Sequence, residues 1–270
     1  MAMSNTATRI LVSVVTIPLI LLVCYLGGLF FLTFVLAIGL LSFYEFNGLS
    51  ANKNAFTNLV IGLLSTFVLI INSYFKFVDF FRLILLIITV LVLTELFRNR
   101  QSAILNLGAS LFGIFYIGLF SSTLVLLREY FADYYNTGGY LIISVFITIW
   151  ICDSAAFFLG TAFGKHKLFP RISPKKSWEG SVAGFIFALI SMIALKYLLL
   201  DSFFILDAIV VGIIIGSIGQ IGDLVESLIK RDAGVKDSSN LIPGHGGIFD
   251  RFDSLMLSSP VIYLYLSYIR

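Results

Sequence analysis

Residues 205–253 read ILDAIVVGIIIGSIGQIGDLVESLI followed by KRDAGVKDSSNLIPGHGGIFDRFD, an apolar run that passes without a break into a charged one. A helix rises about 1.5 Å per residue, so 205–229 is long enough to cross a hydrocarbon core of about 30 Å. The run has no strand alternation. Backbone N–H and C=O groups in lipid must be satisfied within the segment, so the reading is a membrane helix. Asp223, Glu226 and Lys230 are spaced i, i+3 and i+7 and share one face of it.

Comparable stretches recur along the whole chain, at roughly 10–27, 28–46, 56–75, 81–97, 103–127, 140–163, 179–200 and 254–269. Of the 270 residues, 59% are hydrophobic and only 12% charged, about half the charge of an ordinary soluble domain. A chain of this composition needs a bilayer as its solvent. The expected fold is an all-α polytopic membrane protein, a bundle of about nine transmembrane helices with two long cytoplasmic loops in the C-terminal half. Gly27 and Gly28 join the first two spans tightly, which leaves a broken or re-entrant pair open. Arg9 ahead of an apolar stretch resembles a secretion signal, but no small-x-small cleavage site precedes Gly27, so a retained first helix is expected. The net charge of +3, without an arginine-rich run or an aromatic platform, argues for no nucleic-acid partner. Cys24 and Cys152 both lie in apolar runs and read as small buried hydrophobes.

Lys and Arg placement orients the spans. With the N-terminus inside, the cytoplasmic side collects Arg9, Lys53, Arg98, Arg100, Lys165, Lys167, Arg171, Lys175, Lys176, Lys230, Arg231, Lys236 and Arg251. Only Lys76, Arg82, Arg128, Lys196 and Arg270 fall outside. The long cytoplasmic connections then run over about 164–178 and 230–253. Both belong to residues 136–270, expected to be the catalytic transmembrane region, while 1–135 form a scaffold with short loops. Gly212, Gly216 and Gly219 put small residues on one side of the eighth span, as close helix packing requires.

Carboxylates inside a span cost about 2.5–3.5 kcal/mol on insertion scales, so Asp153 and Asp223 are expected to face a cavity or a partner. Glu226 reads either as a structural pair with Lys230 or as part of a site with Asp223. Asp250 and Asp253 are one turn apart at the start of the last span and point the same way. Carboxylates of this kind, together with substrate phosphates, are the ligands that Mg²⁺ takes. The run Pro243-Gly244-His245-Gly246-Gly247 lets backbone N–H groups approach a phosphate, and Lys230, Arg231 and Lys236 supply counter-charge. Lys175 and Lys176, in FGKHKLFPRISPKKSWEG of the other loop, read as a phosphate clamp or as an ordinary basic flank. His166 in that loop reads as a solvated surface residue.

The pattern Ser227-x-Ile229-Lys230-Arg231, Lys236-Asp237, Ser239, Ile242-Pro243, His245-Gly246-Gly247-Ile248 and Asp250-Arg251-Phe252-Asp253 resembles the signature of phosphatidate cytidylyltransferases, the CDP-diacylglycerol synthases. The stretch Ser173-Pro174-Lys175-Lys176-Ser177-Trp178-Glu179-Gly180 is similar to another in that family. The resemblance covers the C-terminal half. It implies a Mg²⁺-dependent reaction of CTP with phosphatidate, one substrate water-borne and the other in the membrane, at the cytoplasmic face of the inner (plasma) membrane. Asp223, Lys230, Arg231, His245 and Asp250 would then carry the reaction. Lys175, Lys176, Lys236, Ser227, Gly246, Gly247 and Arg251 would hold substrate phosphates, and Asp223, Asp250 and Asp253 one or two metal ions. A homodimer is compatible with the sequence but not demanded by it. A CTP-using polyprenol kinase and a cation-coupled transporter with Asp153 and Asp223 on its pathway are the competing expectations. A CDP-alcohol phosphotransferase is disfavoured because no Asp-Gly-x-x-Ala-Arg run is present.

Overall fold

The computed structural model describes residues 5–131, 135–242 and 246–269. Among them, every apolar stretch identified above is helical. The helices are α1 (Asn5–Leu26), α2 (Gly28–Ala51), α3 (Leu59–Phe75), α4 (Phe80–Leu96), α5 (Ala103–Gly113), α6 (Phe120–Arg128), α7 (Tyr135–Phe163), α8 (Trp178–Leu199), α9 (Ile205–Ile214), α10 (Gln220–Asp232) and α11 (Phe249–Ile269). A π-helical turn, Ile114–Leu119, joins α5 to α6 without a break, and another, Ile215–Gly219, joins α9 to α10. Five helical stretches among the described residues are long and apolar enough to cross a membrane: Gly28–Ala51, Ala103–Arg128, Asn136–Phe163, Trp178–Leu199 and Ile205–Asp232. Val12–Leu26 and Leu59–Phe75 are apolar but shorter. The chain is therefore a helical, multi-spanning membrane protein.

The break between α1 and α2 falls at Gly27 and Gly28, whose φ angles are +62° and +52°. Residues with a Cβ enter that left-handed region only at a cost of about 1–2 kcal/mol, which is why the junction is built from glycine. The connection expected as plain loop at 164–178 instead contains a short antiparallel hairpin, β1 (Lys167–Phe169) and β2 (Ser173–Ser177), with Lys167 opposite Ser177 and Phe169 opposite Ser173. The sequence there is too short and too polar for alternation to announce a strand.

Two compact units form. The first unites residues 1–126 with 229–252, and the second unites 127–228 with 253–270. In the first, missing side chains set the helix spacing. Gly62 of α3 lies under the ring of Phe43 of α2, and a Cβ on Gly113 would stand 2.8 Å from the Phe46 ring. The first turn of α11 is seated by aromatic contacts, Phe249 edge-on to Tyr116 at 6.1 Å and Phe252 edge-on to Phe34 at 5.9 Å. Gly62→Val would push a branched side chain into the Phe43 ring. Overpacking of this kind costs about 1–3 kcal/mol, so the variant should melt at a lower temperature in detergent than the parent.

In the second unit α7 and α8 close on small residues: a Cβ on Gly184 would stand 3.0 Å from the carbonyl oxygen of Cys152. Gly212 and Gly216 pack against Leu189 and Phe185 of α8, as their spacing implies. Gly219 does not share that face and lies nearest Ser254 of α11. The π turn supplies the reason. It winds more residues into each turn over Ile215–Gly219, so by Gly219 the chain is rotated relative to a regular helix. Cys24 and Cys152 are both buried.

Candidate functional site

Candidate site residues gather in two of the polar clusters among the described residues, each within its own unit. In the second unit Asp223 and Glu226 of α10 meet Asp253 of α11, and each offers a carboxylate oxygen within 4.8 Å of the others. The approach depends on Gly222, where a Cβ would stand 2.7 Å from the carbonyl oxygen of Asp253. Glu226 is 1% exposed and Asp253 is 9% exposed. Lys176 places its Nζ 2.6 Å from Oδ2 of Asp223, and the Ser227 hydroxyl donates to Oδ1 of the same residue at 3.4 Å. One oxygen of Asp253 accepts the Ser254 backbone N–H at 2.6 Å.

The hairpin determines which lysine arrives. Successive side chains of a strand point to opposite faces, so β2 turns Lys176 towards Asp223 and leaves Lys175 exposed. The two lysines expected to act as one clamp are thereby separated. Ser177 ends the strand and caps α8, its hydroxyl accepting the Gly180 N–H at 3.2 Å.

Three carboxylates this close, two of them buried, repel one another when ionised and need positive charge beside them. The donor set is all oxygen and partly preformed, so it fits a hard divalent ion such as Mg²⁺. Lys176 supplies part of the balancing charge. Glu226 thus lies beside Asp223, as its helical spacing allows.

In the first unit Lys230 at the end of α10 pairs with Asp250 at the start of α11, with 2.9 Å between Nζ and Oδ1. Their side chains are 12% and 3% exposed. The same carboxylate accepts the backbone N–H of Ser238 at 3.1 Å and of Gly247 at 2.9 Å. Asp250 therefore ties down both ends of the segment that precedes α11, and its oxygens are engaged by Lys230 and two amides. Gly246 holds a φ of +81°, the freedom expected of the glycine run. Arg231 bends back to donate to the carbonyl of Val235 at 2.9 Å, and Lys236 and Arg251 are exposed. His245, with Pro243 and Gly244, lies outside the described residues.

One participant has no counterpart in the sequence reading. Glu45 of α2 is 4% exposed and accepts four hydrogen bonds from the same segment. The Ser239 hydroxyl and the Ile248 N–H donate to Oε1, at 2.6 and 2.9 Å. The Ser238 hydroxyl and the Phe249 N–H donate to Oε2, each at 2.8 Å. The signal was available. A glutamate inside an apolar span costs as much as the aspartates that were singled out, and it implies a partner in the same way.

A family model described as the cytidylyltransferase family matches residues 7–269 of this chain. A phosphatidate cytidylyltransferase of Staphylococcus aureus (strain COL) is 34% identical over 269 residues, covering 97% of this chain and 98% of that protein. The enzyme of the same name from Brucella suis biovar 1 is 34% identical over 266 residues, covering 97% and 94%. That from Haemophilus influenzae is 46% identical over 139 residues, covering 50% and 48%.

Proposed function

This chain belongs to the cytidylyltransferase family, and on that premise we propose that it joins CTP to phosphatidate, forming CDP-diacylglycerol and releasing pyrophosphate. A phosphate oxygen of phosphatidate attacks the α-phosphorus of CTP. The bond from that phosphorus to the bridging oxygen of the β-phosphate breaks, and its electron pair leaves on pyrophosphate. The attacking phosphate is ionised near neutral pH, so no strong general base is required. Both reactants are anions, and the work of the protein is charge neutralisation and in-line positioning.

The observation that carries the site assignment is the convergence of Asp223, Glu226 and Asp253 on one another, with Lys176 on Asp223. These three carboxylates would hold Mg²⁺, which when bound neutralises phosphate oxygens. Lys176 would move from Asp223 to a substrate phosphate. Lys230, Arg231, Lys236 and Arg251, with the amides of Gly246 and Gly247, would hold phosphates from the segment between α10 and α11, and Lys175 would add charge from the hairpin. Asp250 is given the role of orienting Lys230. A metal role for it belongs to a form in which Lys230 has turned to phosphate.

The proposal includes the finer topology. Nine spans with the N-terminus inside place both polar connections on the cytoplasmic face of the inner membrane, where the membrane-borne and water-borne substrates meet. Residues 136–270 supply most of the reacting groups, and 1–135 the scaffold. The experiment is conversion by purified protein of phosphatidate and CTP labelled either in the cytosine ring or in the γ-phosphate, with and without Mg²⁺. Cytosine label should enter the lipid only when Mg²⁺ is present, and the γ-label should leave as pyrophosphate. Entry of the γ-label into lipid instead would identify a kinase and overturn the reaction.

A further inference from the structure

Glu45 sits near the end of an apolar helix, yet its carboxylate accepts four hydrogen bonds from a segment about two hundred residues away in the chain. Each of its oxygens accepts one hydroxyl and one backbone N–H. The two amides, of Ile248 and Phe249, belong to the N-terminus of α11, whose first turn has no intrahelical acceptor for its N–H groups. The two hydroxyls, of Ser238 and Ser239, belong to the other end of the segment. Gly247 lies between them with its Cα against the carboxylate: a Cβ there would collide with Oε2 of Glu45 and with the Ser238 hydroxyl.

A second carboxylate works on the same backbone. Asp250 accepts the N–H groups of Ser238 and Gly247 and pairs with Lys230. Glu45 thus holds Ser238 by its side chain while Asp250 holds it by its amide. Ser238 thereby links Glu45 to Asp250, and Asp250 to the Lys230 ammonium.

We propose that Glu45 is a positioning residue that clamps Ser238 and Ser239 against Gly247, Ile248 and Phe249 in their substrate-phosphate-binding form. This rests on the reading that Lys230 and the Gly246–Gly247 backbone receive substrate phosphate. The chemistry of the clamp is specific to a carboxylate. In Glu45→Gln one oxygen becomes an NH₂ group. A serine hydroxyl can rotate to accept from it, but the backbone N–H of Ile248 or Phe249 cannot, so one buried amide is orphaned and pushed away.

The test uses full-length protein in lipid nanodiscs and three variants: Glu45→Gln, Glu45→Asp and the double variant Ser238→Ala/Ser239→Ala. Steady-state kinetics with CTP and with phosphatidate varied in turn are measured beside hydrogen exchange of the Ser238, Gly247, Ile248 and Phe249 amides. In Glu45→Gln exchange at these amides should accelerate, and KM for one phosphate-bearing substrate should rise by at least about tenfold, with a smaller change in kcat. The substrate whose KM rises is the one the segment receives. Glu45→Asp should recover part of the loss, because both oxygens are retained. Unchanged exchange in Glu45→Gln would overturn the clamp. Faster exchange with unchanged kinetics would instead leave the clamp standing and remove the segment from the phosphate site. An equal fall in kcat with both KM values unchanged would reduce Glu45 to a structural residue. If Glu45→Gln does not fold, the serine double variant should accelerate exchange at Ser238 and Gly247 and raise the same KM while Ile248 and Phe249 stay protected, since it removes the two hydroxyl donors and leaves the carboxylate on the helix N-terminus; unchanged exchange at Ser238 and Gly247 would overturn the clamp.

Discussion

Asp253→Asn is expected to lower the rate of CDP-diacylglycerol formation by about two to three orders of magnitude, the scale on which removal of one group that stabilises developing charge is felt. Stability should not fall with it. Asp253 is crowded by Asp223 and Glu226, all offering ligand oxygens within 4.8 Å, and neutralising one member relieves their repulsion. The melting temperature of the variant in detergent should therefore equal or exceed that of the parent. The Mg²⁺ concentration for half-maximal rate should rise, because one of three oxygen donors has become an amide. Asp223→Asn should share the loss of rate and also loosen Lys176, whose ammonium lies 2.6 Å from Oδ2 of Asp223. Full activity with an unchanged Mg²⁺ requirement in both variants would remove the metal from this cluster.

Asp250→Asn should have the opposite signature, with stability and activity lost together. Its carboxylate pairs with Lys230, and both side chains are almost fully enclosed. Removing one partner of a buried ion pair costs about 3–5 kcal/mol. The amide that replaces it also turns an NH₂ group towards the N–H of Ser238 or Gly247. A large drop in melting temperature is expected, against little or none for Asp253→Asn. Lys230→Met should lose less stability than Asp250→Asn, because Asp250 still accepts two amides, yet lose comparable activity. Wild-type melting of Asp250→Asn would show that the pair does not hold the segment. The contrast between neighbouring aspartates on one helix is the useful result, since composition and spacing alone treat them as equivalent.

Much of this was legible from residues 205–253. Hydropathy and length are local properties, and the described residues are helical where the apolar runs lie because a helix satisfies its backbone in lipid within one segment. The i, i+3 spacing of Asp223 and Glu226 is equally local, and both side chains do meet a common neighbour. Lys175 and Lys176 were legible as basic residues but not as different ones. Their separation comes from a hairpin whose pairing of Lys167 with Ser177 depends on a turn between them. Gly219 was assigned to the wrong face because a π turn breaks the periodicity that assignments of this kind assume.

Ser227 to Asp253 carries the family pattern and its charges in one continuous stretch, so the sequence sufficed to recognise the family and to list the ionisable groups. Which of those groups neighbour one another is a matter of packing. Glu226 joins Asp223 and Asp253 because Gly222 lets α11 come close, and Asp250 is drawn to Lys230 and two amides. Glu45 stands 203 positions from Ile248. No periodicity or spacing links residues so far apart. Only the packing of α2 against the start of α11 puts a buried carboxylate under four donors that need an acceptor.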